Sequence, residues 1–183
     1  QTIRDPDGPT SHLTLWYKFD ESSGSTAADS SGDGHTGTLV NGPTFVAGKF
    51  GNALSFDGAN DRVVVFDQPL GPGPHRPRTF IDGNGEFTLI SVARYSGGDR
   101  ERVISARTGH NWLFGFHGNR SNRFHYDGWG THGVNDGAYD GGNQQWYIHA
   151  NQQNVNGDAN NPAGDYYANG VLLANDSRGS GDG

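Results

Sequence analysis

The chain has no cysteine, few aliphatic residues, few cations and almost no glutamate. Without cysteine there is no disulfide, no thiol nucleophile and no zinc–thiolate centre, and the redox compartment is left open. Leu, Ile, Val and Phe number 34 in 183 residues, which with a formal charge of -7 approaches the composition of a disordered chain. No run reaches the roughly 18 apolar residues of a transmembrane helix, so no insertion into a membrane is expected. Lys plus Arg total 13 against 20 Asp plus Glu, and so few cations offer no electrostatic footprint for nucleic acid or an anionic bilayer. The length suits one domain, since single cores usually span about 100–200 residues. The chain opens on Gln1 rather than Met, which fits a removed signal peptide or an upstream domain.

What is present argues for a folded chain. The 4 Trp, 7 Tyr and 10 Phe residues carry too much rigid apolar area for a solvated tail, at about 150–250 Å² each. Glycine supplies 30 residues, aspartate 17 and asparagine 16, so about a third of the chain consists of residues that make turns and tolerate positive φ. Many short strands joined by turns fit this composition and long helices do not. Stability must then come from packing, hydrogen bonds or a hard metal.

Residues 1–11 read as an arm or linker, 12–174 as one domain and 175–183 as a turn segment. Strands are expected at Leu13–Phe19, with Leu13, Leu15, Tyr17 and Phe19 on one side, and at Thr38–Val40 before an Asn41-Gly42-Pro43 turn. Ala53–Phe56 and Arg62–Phe66 are expected to form a hairpin through Asp57–Asp61. Further strands are expected at Phe87–Tyr95, Arg102–Arg107, Trp112–Asp127, Trp146–Ala150 and Asp165–Ala174, whereas the proline-rich stretch 68–78 is irregular. No stretch has sustained helical periodicity, so the class is all-β, of the sandwich or barrel kind.

The hairpin at 112–127 can be set in register. With 118–122 as a five-residue loop, Phe116 faces Phe124, Phe114 faces Tyr126 and Trp112 falls opposite Gly128 on a core face. The other face then pairs His117 with Arg123, Gly115 with His125 and Leu113 with Asp127.

Two blocks carry a resemblance: Leu15-Trp16-Tyr17-Lys18-Phe19-Asp20-Glu21 leading to Ala28-Asp29-Ser30-Ser31-Gly32-Asp33-Gly34, and Gly48-Lys49-Phe50-Gly51-Asn52-Ala53-Leu54-Ser55-Phe56-Asp57-Gly58. They resemble the opening of the LamG-like jelly-roll family, within the concanavalin A-like lectin/glucanase superfold. Phe87–Arg94 and the Tyr-x-Asn-Gly run Tyr167-Ala168-Asn169-Gly170 agree with later parts of that family. The resemblance implies a two-sheet antiparallel β-sandwich, frequent in secreted and cell-surface proteins, and so an extracellular or cell-surface location. Family members continue past this hairpin with two more strands, so the expectation is a sandwich lacking its last strands. A lost C-terminal part, the arm at 1–11 or a neighbouring copy would cover the open edge, the last being self-association by strand addition.

Fold does not fix function, so the residues must be weighed singly. Asp29, Ser31 and Asp33 place oxygens at alternate positions with Gly34 after them, the first half of a Ca²⁺-loop pattern. A structural Ca²⁺ held there is one reading and a serine-glycine turn with solvated carboxylates is the other. Asn154, Asn156, Asp158 and Asn160 repeat the alternation more weakly. The glutamates Glu21, Glu86 and Glu101 lie too far apart in sequence to form the carboxyl pair about 5–5.5 Å apart of a retaining glycosidase, so no catalysis is expected. His117, Arg123, His125, Asp127 and Trp129 combine planar hydrogen-bonding groups with an aromatic ring, the residue types that read a sugar; a solvated sheet face is the alternative. The expected function is a non-catalytic extracellular carbohydrate-binding or adhesion module stabilised by Ca²⁺, whose partner is a glycan or cell-surface component. A structural subunit of a surface filament, sheath or layer is the alternative. Asn119 and Asn175 begin N-glycosylation acceptor patterns.

Overall fold

The computed structural model describes residues 13–65, 87–95, 103–105, 112–116, 123–126, 129–131, 145–154 and 163–175. Among the described residues it is all-β, with thirteen strands, no helix and every ladder antiparallel. The strands fall into two compact units, Gln1–Phe80 and Ile81–Gly183.

The first unit holds β1 (Thr26–Ala27), β2 (Gly37–Val40), β3 (Thr44–Ala47), β4 (Asn52–Ser55) and β5 (Arg62–Val64). β1, β2 and β5 form one sheet in that order, and β3 pairs with β4. Gly37 sits where a Cβ would lie 2.6 Å from Val63 Cγ1 and 2.9 Å from the Tyr17 hydroxyl, so close packing of β2 requires glycine there. Asn41 and Gly42, with φ of 69° and 112°, make the expected turn after β2.

Two expectations are corrected in this unit. Leu13–Phe19 alternates in burial as expected, yet joins no ladder; its one bridge is Tyr17 to Asp29, and Phe19 at φ 57° ends the extended run. β4 and β5 do not form a hairpin. β4 pairs with β3 through the Gly48–Gly51 turn, where the Gly48 N–H donates to the Gly51 carbonyl at 2.9 Å, while β5 crosses to β2. Residues 57–61 close on themselves instead, the Asp57 carboxylate accepting the Ala59 N–H at 2.8 Å and the Asp61 carboxylate accepting the Asp57 N–H at 3.1 Å. A loop whose side chains hydrogen-bond to its own backbone in this way turns as a unit and has no need to carry its flanking strands into register.

The second unit holds β6 (Phe87–Arg94), β7 (Ile104–Ser105), β8 (Trp112–Gly115), β9 (Arg123–Tyr126), β10 (Trp129–Thr131), β11 (Trp146–Asn154), β12 (Ala163–Ala168) and β13 (Val171–Asn175). One sheet has the order β10-β9-β8-β7 and the other β13-β12-β11-β6. Their facing sides meet through aromatic rings. Phe116, just after β8, stands edge-on to His149 and Tyr147 of β11 at 4.9 and 5.8 Å between centroids, and Phe114 meets His149 at 6.0 Å. Phe114 and His149 are 0% exposed and Phe116 2%. Two antiparallel sheets joined by such a layer are consistent with a β-sandwich. Asn169 and Gly170, at φ 51° and 80°, form the tight turn that joins β12 to β13.

The 112–127 hairpin is shifted by two residues from the expected register. Phe114 pairs with Phe124, Trp112 with Tyr126, Leu113 with His125 and Gly115 with Arg123. Gly115, at φ 119°, has Val103 packed against it so closely that a Cβ would lie 2.5 Å from Val103 Cγ2, and β8 ends there. Since side chains alternate with a period of two, a two-residue shift leaves the two faces as expected.

Phe114→Ala should therefore lower unfolding free energy by about 3–5 kcal/mol, whereas Val171→Thr, at a position 60% exposed, should change it by less than about 0.5 kcal/mol. Urea unfolding followed by tryptophan fluorescence tests this; similar losses for both variants would show that the β8–β11 layer is not the core.

Candidate functional site

Asp29 is the polar centre of the first unit. Its Oδ1 accepts the backbone N–H of Trp16 at 3.0 Å and of Ser31 at 2.9 Å, and its Oδ2 accepts the Ser31 hydroxyl at 2.7 Å and the His35 N–H at 2.9 Å. The Ser31 hydroxyl oxygen in turn accepts the Asp33 N–H at 3.2 Å. Partial burial pushes the Asp29 carboxyl upward, but the hydrogen bonds from Ser31, Trp16 and His35 outweigh it and hold the group well below the usual carboxylate range. The Ser30 N–H donates to the Trp16 carbonyl at 2.8 Å, so the segment at 13–19 is held by this loop rather than by a ladder. The Tyr17 hydroxyl donates to the His35 carbonyl at 2.6 Å, and burial, with the nearby Asp29 charge, raises its pKa to about 12.

The Asp29 carboxylate and the Ser31 hydroxyl are thus engaged with the loop's own donors, and Asp33 joins them through its backbone N–H. Among the described residues no group of three or more His, Cys, Asp or Glu side chains converges as a metal centre. Nearby, Glu21 turns one carboxylate oxygen to the Ala28 N–H at 2.6 Å, while its backbone carbonyl accepts the Asn52 amide at 3.1 Å. The carboxylates of Glu21 and Asp29 therefore tie loop to loop.

In the second unit, Arg123 and His125 lie on β9, opposite Gly115 and Leu113 of β8. Paired residues in an antiparallel ladder share a face, so these two alternate away from the face of Phe114 and Phe124. Trp129 opens β10 opposite Tyr126, with Gly130 opposite His125. The register gives Trp129 to the face of Tyr126 and Phe114, across the sheet from Arg123 and His125, because Trp129 pairs directly with Tyr126. His117, Asp127 and Asn119 lie outside the described residues, as do Asn156, Asp158 and Asn160; Asn175 ends β13.

A third surface was not anticipated. On the β13-β12-β11-β6 sheet, the side away from the aromatic layer carries Ile90 (66% exposed), Val92 (53%), Ile148 (50%) and Leu172 (44%). Val92 pairs with Ile148 and Ile90 with Ala150; Ala150 pairs with Tyr167, which pairs with Leu172. At one end Arg94 lies opposite Trp146, its guanidinium 5.3 Å from the indole ring centroid. The signal was present in β6: Phe-Thr-Leu-Ile-Ser-Val-Ala-Arg has apolar residues in both alternating sets, Phe87, Leu89 and Ala93 in one and Ile90 and Val92 in the other, as in a strand covered on both sides.

Compared with models of protein families, with curated proteins and with solved structures, the chain matches none.

Because the folded Asp29 carboxyl titrates below its unfolded value of about 3.9, its stabilisation is present above that value and is lost as pH falls below it through the folded pKa. Asp29→Ala leaves three backbone N–H groups without their acceptor and should cost about 1–2 kcal/mol near neutrality, the solvent competing in part for those donors. It should also flatten the decline of stability below about pH 4. Urea midpoints of both proteins at several acidic pH values test this, and parallel declines would remove Asp29 as the titrating group.

Proposed function

We propose that this chain is a non-catalytic, extracellular β-sandwich module of the jelly-roll kind that binds a glycan through the β8–β9 face. The observation that carries the reading is the register: Arg123 and His125 alternate away from Phe114 on a ladder whose other side is core. A guanidinium and an imidazole next to each other on one face offer several planar donors to vicinal hydroxyls, with His117 and Asp127 as further candidates by sequence. Trp129 belongs by register to the opposite face, so recognition rests on hydrogen bonds rather than on ring stacking. In this reading the loop of Asp29, Ser31 and Asp33 needs no cation, because Asp29 already accepts four hydrogen bonds from its own chain.

The second reading, a structural subunit of a surface assembly, is favoured by the exposed apolar side of the β13-β12-β11-β6 sheet. It differs in requiring copies of the chain to associate.

A glycan array probed with the parent protein and with Arg123→Ala and His125→Ala tests the first reading. Binding by the parent and about tenfold weaker binding by each variant, corresponding to about 1.4 kcal/mol, is expected; no glycan bound, or binding indifferent to both substitutions, would dismiss it. Thermal midpoints in calcium and in excess chelator should coincide, and a midpoint that rises with calcium would show that a cation takes the carboxylates instead.

A further inference from the structure

We propose that the outer side of the β13-β12-β11-β6 sheet is a self-association surface on which two copies of this chain pack face to face about a twofold axis. The proposal does not rest on glycan recognition, since Arg123 and His125 belong to the other sheet. It would give the structural reading a closed pair rather than an open filament.

Ile90, Val92, Ile148 and Leu172, between 44% and 66% exposed, follow one another through the register of four adjacent strands and so form a connected apolar surface. Contiguous exposed apolar patches are unusual on monomers and mark contact sites. The exposed members are aliphatic, and branched methyl groups neither stack on sugar rings nor hydrogen-bond to hydroxyls. They call for another apolar surface.

The charges of this side say which surface. Arg94 ends β6 in the row of Trp146, while Asp165 stands on β12 in the row of Gln152 and Thr88. Arg94 and Thr88 are six residues apart on β6, or about 20 Å at 3.3 Å per residue. By register, the side thus has a cationic residue at one end, an acidic residue at the other and aliphatic positions between them. Such a pattern complements itself. A twofold axis in the interface, perpendicular to the line from Arg94 to Asp165 at its midpoint, sets Arg94 of each copy against Asp165 of the other and the aliphatic centre against itself. Face-to-face sheets about 10 Å apart would then interdigitate these side chains as within a sandwich.

Sedimentation of the full chain across the micromolar range tests the proposal. A reversible monomer–dimer equilibrium is expected for the parent, weakened about tenfold or more by Ile148→Lys or Val92→Lys. Either of these leaves the aromatic layer untouched, and far-UV circular dichroism checks that the variant used is folded. Arg94→Asp and Asp165→Arg should each weaken association by placing like charges together, and both changes in one chain should restore it, since each copy again presents one charge of each sign. A parent that stays monomeric would overturn the proposal. So would association, closed or open-ended, that survives both lysine variants, or a double reversal that associates no better than the single ones.

Discussion

In the second unit everything hangs on a short row of rings between two sheets. Phe114 and Phe116 bring β8 against Tyr147 and His149 of β11, in a chain where Leu, Ile, Val and Phe together make up less than a fifth of the residues. With so little aliphatic material, large rings must supply the buried area, and edge-on geometry adds to it because a positive ring edge meets a negative face. A polar ring enters the layer as well: His149 is fully buried, with its Nδ1 3.3 Å from the Ser91 hydroxyl. Such a group is tolerated in a core only when it is hydrogen-bonded.

The first unit solves the same shortage differently. Its strands are short, and one carboxylate organises the segment that precedes them. Asp29 gathers backbone donors from Trp16, Ser31 and His35, so that the residues at 13–19 are fastened by charge-assisted hydrogen bonds instead of a ladder. The residues at 13–21 and 28–34 are here loops fastened by their own side chains. An alternation of side-chain oxygens that would suit a cation also suits a turn rich in N–H donors, because both present positive charge to a carboxylate.

The two sheets of the second unit are unlike on their outer sides. On the β8–β9 ladder, Arg123 and His125 alternate away from the core face, whereas the β6–β11 ladder carries Ile90, Val92 and Ile148 away from it. A sheet with one polar side can face water, while a sheet apolar on both sides calls for a second layer. That difference separates recognition of a hydroxyl-rich ligand from association between copies, and it places the two proposed activities on different sheets.

Alternation with a period of two is local, and the sequence by itself determined whatever depends on it: the all-β class, the strands at 87–94 and 112–115, the first half of β11 at 146–150, the Asn41-Gly42 and Asn169-Gly170 turns, and the burial of Phe114 and Phe116. Pairing is not local, and tertiary structure decided it. β4 turned back to β3 because Gly48–Gly51 closes a tight turn, and β5 crossed to β2. The 112–127 hairpin settled two residues from the register that alternation suggested, with Gly115 at the end of β8 packed against Val103. Trp129 stands on the face of Tyr126, away from Arg123 and His125, because the β9–β10 ladder pairs it with Tyr126. The engagement of Asp29 was equally hidden, since the donors of Trp16 and His35 reach it only once the loop has folded. A strand pattern tells which side of a residue meets a neighbour; which neighbour it meets is set by turns and close contacts between residues far apart in the chain.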